Sequence, residues 1–270
     1  MDSTLALSFS LHNIKGGTAL LLGSGISSAA GILTGWGITL DLVKRIAAVE
    51  GESAGSNPEH WYKERYGKEP DYAELIELLA PTPAERQRLL LPYFVASDEE
   101  REKKQKQPTK AHHAIAQFVA AGYIRVILTT NFDPLLELAL EAVGVTPAII
   151  SDPSAITGMM PLHLEPVTII KLHGHYLDTR LRNTPEELAL YEPALEKLLD
   201  RVLDEYGLVI CGWSGVWDTA LRDAMFRCPS RRFTTFWTSM GPLAPEAKKL
   251  ADHRNVTLIT IKGADDFSWG

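Results

Sequence analysis

Six short apolar runs, each stopping abruptly at glycine or a small polar residue, constrain the fold of this chain more than any other feature. They are "TALLL", "RVILTT", "PVTIIKLHG", "LVICGWSG", "RFTTFWTS" and "VTLITIKG". Continuous rather than alternating apolar runs of this length suit strands buried on both faces, because helices cover each side of the sheet. Helical or loop sequence separates each run from the next, as "AHHAIAQFVAAGYI" does before the second. The expectation is an α/β fold, a Rossmann-like doubly wound parallel sheet. From Ile38 to about Lys110 the pattern is helical, with "DYAELIELLA" and "PAERQRLLLPYFV" set apart by prolines and no convincing strand. That stretch, about 38–110, reads as a helical lobe inserted into one domain spanning 1–270. Its charged end, "SDEEREKKQKQPTK", reads as a solvated helix face or loop.

Composition removes several function classes. Of the 270 residues 45% are hydrophobic, enough to bury a substantial core. A net charge of −7 and a pI near 5.6 argue against direct nucleic-acid binding, which ordinarily needs a basic face. No apolar run reaches the roughly 18 residues of a membrane span, and the start "MDSTLALSFSLHNIKGG" lacks the blocks of a secretory signal. Cytoplasmic residence is the expectation. Two cysteines, Cys211 and Cys228, build neither a disulfide framework nor a C-x-x-C pair, so no metal is expected.

In open α/β sheets ligands bind outside the carboxyl ends of the strands, so the polar tips should converge on one crevice. The first tip is Gly23, Ser24, Gly25, Ile26, Ser27, Ser28. Its glycines let backbone N–H groups approach a pyrophosphate, and Ser27 and Ser28 stand where a helix N-terminus is expected. The dehydrogenase pattern G-x-G-x-x-G fails at Ser28, Asp41 lies in a helical stretch, and no P-loop lysine follows. A nucleotide fits; a standard dehydrogenase or ATPase does not. In "CGWSGVWD" the nucleophile-elbow pattern fails at Val216, so Gly212, Trp213 and Ser214 read as cofactor contacts through backbone and hydroxyl, with Asp218 capping the next helix. Trp36, Trp213, Trp217 and Trp237 read as core or pocket wall, Trp237 with adenine as its candidate partner.

Taken together, "GSGISSAAGILTGW", "TTNFD", "KLHG" and "GWSG" resemble, in order, the glycine loop, the T-Q-N-x-D segment, the catalytic-histidine motif and the glycine–serine turn of sirtuin-type proteins. With "ADDF" at Ala264, Asp265, Asp266 and Phe267, the wording is most similar to a bacterial sirtuin-like branch associated with NAD hydrolysis in anti-phage defence. The resemblance implies NAD as substrate, nicotinamide and ADP-ribose as products, and cofactor contacts from the glycine loop, Thr130 and Asp266. It also implies assembly as a homo-oligomer, or control by a partner or downstream domain of Argonaute or ring-ATPase type. The chain departs from deacylases after His173, where an acidic helical stretch, "YLDTRLRNTPEELALYEPALEKLLDRVLDEYG", replaces the four-cysteine zinc ribbon. An NAD-dependent protein deacylase and a non-catalytic NAD or ADP-ribose sensor are the alternatives.

The chemistry implied is cleavage of a glycosidic bond through an oxocarbenium-like transition state, which needs an aligned ribose and water and a destination for a proton. By resemblance, Asn131 contacts a ribose hydroxyl or water, Asp133 the nicotinamide carboxamide, and His173 is the base. The competing reading has Asn131 and Asp133 capping the helix "PLLELAL", with Pro134 in its first turn. His175 is the nearest competitor to His173, while His112 and His113 read as packing or solvent contacts.

Overall fold

The computed structural model describes residues 2–177 and 187–266. Helix α1 (Ser3–Asn13) leads into strand β1 (Thr18–Leu22). Five α-helices follow without a strand: α2 (Gly35–Val49), α3 (Pro58–Tyr66), α4 (Tyr72–Leu79), α5 (Pro83–Phe94) and α6 (Asp98–Glu102). The chain then alternates through α7 (Lys110–Ala120), β2 (Ile124–Thr129), α8 (Leu135–Ala142), β3 (Ala148–Ile150), α9 (Pro153–Ile156) and β4 (Thr168–Lys171). It closes with α10 (Pro193–Glu205), β5 (Gly207–Cys211), α11 (Thr219–Arg227), β6 (Thr235–Ser239), α12 (Pro245–Arg254) and β7 (Thr257–Thr260).

The strands form one sheet in the order β3-β4-β2-β1-β5-β6-β7, with every pair parallel. The chain starts in the centre, builds one flank through β2, β3 and β4, and returns to the other side of β1 with β5. This is the doubly wound Rossmann-like sheet that the apolar runs lead one to expect. Successive β1 side chains point to opposite faces. Ala19 and Leu21 join one core with Leu199, Val202, Leu221 and Leu250, whereas Leu20 and Leu22 join another with Leu7, Leu11, Ile115 and Leu140. A third core inside the α2–α5 helices, built on Leu42, Leu75, Ile76 and Leu90, includes Leu135 at the start of α8 and has Phe132 packed against it. The helices therefore rest on the segment that carries Asn131.

Several local readings need correction. No α-helix starts at Ser27 or Ser28: the loop makes two 3-10 turns, Ser24–Ile26 and Ser28–Ala30, the second capped by Ser27 and ended by Gly31 at φ +80°. The first regular helix after β1 is α2, where Thr34 accepts from the Gly37 N–H at 3.2 Å. "VTLITIKG" gives an edge strand, with Ile259 buried and Leu258 half exposed, because β7 has only one neighbour. Strand β3 is three residues long and α1 shows almost no amphipathic stripe, so neither stands out in the sequence. Of the acidic stretch after His173, residues 178–186 lie outside those described, and its regular helix begins at Pro193.

Leu128 in β2 is fully buried in the first core. Leu128→Ala is expected to lower the unfolding free energy by about 2–5 kcal/mol, measured as a shift in urea midpoint at unchanged m-value.

Candidate active site

Strand register assembles the site. Leu22 pairs with both Thr129 and Cys211, and Thr129 pairs with Lys171, so four neighbouring strands end at one level. Beyond that level stand Gly23, Thr130, Leu172 and Gly212. Asn131 and His173 each lie two positions past their strand's last paired residue. Backbone bonds continue the ladder past the strands, from the Thr130 N–H to the Leu22 oxygen (3.1 Å) and from the Leu172 N–H to the Thr129 oxygen (2.9 Å). The Thr129 hydroxyl accepts the Asn131 N–H at 3.0 Å and bends the chain off the strand.

A buried ammonium group ties these strand ends to the neighbouring helix. Lys171 is 3% exposed, and its Nζ donates to the Asp133 carbonyl at 2.9 Å and the Phe132 carbonyl at 3.5 Å while lying 2.6 Å from the Glu137 carboxylate. It thereby joins β4, the loop after β2, and α8. Asp133 is buried, and one carboxylate oxygen accepts the Leu135 N–H at 3.1 Å. Asp133 thus satisfies the first N–H of α8 through an i→i+2 contact without being its N-cap. The N-cap is Pro134, standing before the first helical residue instead of in the first turn. Burial pushes the Asp133 carboxyl up, against the opposing pull of Lys171, the Leu135 N–H and Ser27. A cavity of about 10 Å³ lies beneath the loop, bordered by Ile26, His112, Asn131, Asp133, Glu137 and Lys171. It has room for about one water.

His173 is also buried, and its Nε2 stands 2.7 Å from Asp218 Oδ1. The ring N–H is not aligned on the oxygen, which makes this an ion contact rather than a well-formed hydrogen bond. Asp218 does not cap α11 with its side chain. Its other oxygen accepts from Trp213 Nε1 at 2.5 Å, and Trp213 stacks on Trp237, ring centroids 5.3 Å apart. Burial pushes the Asp218 carboxyl up, but His173, the Trp213 N–H and Arg222 outweigh it and hold the group below the usual carboxylate range. On its other side the His173 ring meets Phe132 at 6.2 Å, and Phe132 meets Phe94 at 5.2 Å. His175 lies 3.8 Å from Glu137 and against Tyr176, apart from this arrangement.

The glycine loop works differently from the sequence reading. The N–H groups of Gly23 and Gly25 donate to the Cys211 and Gly212 oxygens (3.0 and 2.9 Å), so these donors already hold the β5 end. A Cβ on Gly25 would come within 2.8 Å of the Gly212 Cα, and one on Gly23 within 2.5 Å of the Gly212 oxygen. The close approach that demands glycine is therefore between two protein loops. Ser27 is fully buried and turned inward, Ser24 and Ser28 are exposed, and Ser28 Oγ donates to the Ser24 carbonyl at 3.3 Å. Trp237 is 0% exposed and donates to the Trp213 oxygen, so it has no face for adenine, and Trp213 is likewise buried behind Asp218. Ser214 is exposed on a loop, Asp266 is exposed at the end of a 3-10 turn (Ala264–Asp266), Gly212 is at φ +70°, and Trp36 is half exposed in the first turn of α2. Asp265 accepts the Ala111 N–H at 2.9 Å; Phe267 lies outside the described residues.

The sequence left Lys171, Glu137 and the role of Asp218 unmarked, and read His112 only as a packing or solvent contact. A lysine inside the apolar run "TIIKLHG" was an available signal, since a charge on a central strand must be paired. Among the described residues no group of three or more histidine, cysteine or acidic side chains is placed to hold a metal. No helix among them is long and apolar enough to cross a membrane.

The sequence profile of the SIR2-like domain matches residues 125–259, half of the chain, and the chain belongs to that family. The glycine loop precedes the matched span. Similar solved structures include a Sir2 homologue in complex with NAD (15% identity, TM-score 0.46, covering 98% of this chain and 90% of that one). Others are Sir2Tm bound to a propionylated peptide (14%, 0.48, 97% and 94%) and a further Sir2 enzyme (15%, 0.48, 97% and 92%). No curated protein matches the chain in sequence.

This geometry has two measurable outcomes. Lys171→Met leaves Glu137 and two carbonyls without their cation and should cost about 3–5 kcal/mol, part of which Lys171→Met/Glu137→Leu should recover in urea titrations. Burial lowers His112 from 6.5 to about 4. Its folded pKa is depressed, so between about pH 6.5 and 4 the unfolded chain takes up a proton that the folded chain refuses. Stability is lost as pH falls through that window, by about 3 kcal/mol from this group. Asp218, with its lowered pKa, acts only at the acid end of the range. Urea midpoints at pH 7.5 and 4.5 should show His112→Gln losing that part of the wild-type slope.

Proposed function

We propose that this chain is an NAD+ hydrolase that releases nicotinamide and ADP-ribose, acting as an NAD-depleting effector in defence against phage. The observation that carries the reading is the pairing of a buried histidine with a buried carboxylate, His173 with Asp218, on the strand end next to the one bearing Asn131. Asp218 beside Nε2 keeps the ring proton on that nitrogen and leaves the Nδ1 lone pair as acceptor. When the glycosidic bond breaks, its electron pair goes to the nicotinamide nitrogen and neutralises the pyridinium. Water adds to the ribose cation, its proton passes to His173 Nδ1 and then to solvent, and Asp218 stabilises the imidazolium in between. Asn131 aligns the ribose hydroxyl or water, and Asp133, in its buried position, meets the carboxamide. Hydrolysis is favoured over deacylation because the stretch between His173 and Cys211 contains no cysteine for a zinc ribbon. NAD hydrolysis inside a cell is damaging unless gated, so activity is assigned to an assembled or partner-bound form.

Nicotinamide measured by chromatography after incubation with NAD and no acyl peptide tests the reading. Asn131→Ala and His173→Ala are each expected to lower turnover at least about 100-fold with unchanged circular dichroism. Turnover that requires an acylated peptide would establish the deacylase instead, and wild-type turnover in both variants would remove the assignment.

A further inference from the structure

His112, in the first turn of α7, is 1% exposed. Its Nδ1 accepts the Thr109 backbone N–H at 3.2 Å and has the Thr109 hydroxyl 2.9 Å away. An amide N–H can only donate, so Nδ1 carries no proton and the neutral ring has its hydrogen on Nε2. Nε2 lies 3.4 Å from the Ser27 hydroxyl oxygen. Asn131 Nδ2 donates to that same oxygen at 3.4 Å. Ser27 Oγ thus accepts from His112 and from Asn131, which uses both of its lone pairs. With Nδ2 engaged, Asn131 Oδ1 is left as an acceptor. It is buried and has no hydrogen-bond partner among the described residues, and Asn131, His112, Asp133 and Lys171 all border the one-water cavity.

We infer that His112 and Ser27 are positioning residues for the Asn131 amide: the ring N–H of His112 fixes the Ser27 hydroxyl, whose oxygen holds Nδ2 and leaves Oδ1 free to accept from water or a ribose hydroxyl. The opposite tautomer would set an N–H of the ring against the Thr109 N–H, and Nε2 could then no longer donate to Ser27. The lowered pKa of His112 keeps the ring neutral throughout the physiological range. This inference rests on the hydrolase reading for what Asn131 does, but not for how the amide is held.

Two-bond proton–nitrogen spectra of imidazole-labelled protein, with the His112 signals assigned through His112→Gln, should show the neutral Nε2–H tautomer unchanged from pH 6 to 8. An Nδ1–H tautomer, or titration near 6.5, overturns the inference whether or not the chain hydrolyses NAD. The Asn131 side-chain amide protons should exchange slowly in the wild type and faster in Ser27→Ala and His112→Leu; equal exchange in all three overturns it as well. In the nicotinamide assay those two variants should lose about 10- to 100-fold in kcat with KM little changed. His112→Gln, which keeps a donor for Ser27 and an acceptor for Thr109, should recover most of the loss. Wild-type kcat in His112→Leu, or no recovery in His112→Gln although both variants fold, counts against the inference. A wild type that releases no nicotinamide defeats the hydrolase reading alone and leaves the two spectroscopic measurements to decide.

Discussion

The ammonium group of Lys171 is the point on which this site depends. Taking a lysine out of water costs several kcal/mol unless its charge and all its donors are matched. Here the charge is countered by one carboxylate, from Glu137, and the donors reach two backbone carbonyls, of Phe132 and Asp133. Those carbonyls belong to the turn between β2 and α8, a place where oxygens with neither helix nor sheet partners would be expensive to bury. The same cation therefore satisfies the turn and fixes it to β4. Because Asn131 sits one residue before Phe132, the clamp determines where the amide stands relative to His173.

Around that clamp the two faces of the sheet supply different support. On one face a tryptophan pair, Trp213 and Trp237, closes the core and delivers an indole N–H to Asp218, which in turn meets His173. On the other, α7 delivers His112 to Ser27, and Ser27 reaches Asn131. The α2–α5 helices complete the enclosure through Phe94 on Phe132. Each polar group at the strand ends is thus held by a partner from a different layer, which is what a preorganised site requires when most of its members are buried.

The glycine loop shows how a correct motif can carry an incorrect local explanation. Gly23 and Gly25 are glycines for a steric reason, as the sequence suggested, yet the atoms pressed against them belong to Gly212 and Trp213. Glycine records that something comes close without recording what does. Trp237 is a parallel case. Its place on a strand was legible, but it is the middle residue of β6 rather than its end, and only the arrangement of α12 and Trp213 decided that its ring faces the core.

What the sequence by itself determined was the part governed by local periodicity and by order along the chain. The continuous apolar runs specified buried parallel strands, the proline-punctuated helical stretch specified the α2–α5 helices, and the polar tips specified which strand ends carry Asn131, Asp133 and His173. These features come from hydrophobic burial, which acts on each segment wherever its partners come from. Only the tertiary structure decided that Asp218 serves His173 instead of capping α11, that Lys171 and Glu137 meet beneath the Asn131 turn, and that His112 reaches Ser27 across 85 residues of sequence. Ion pairs and side-chain hydrogen bonds depend on distances of about 3 Å and on direction. No pattern along the chain encodes such distances until the sheet has set its register.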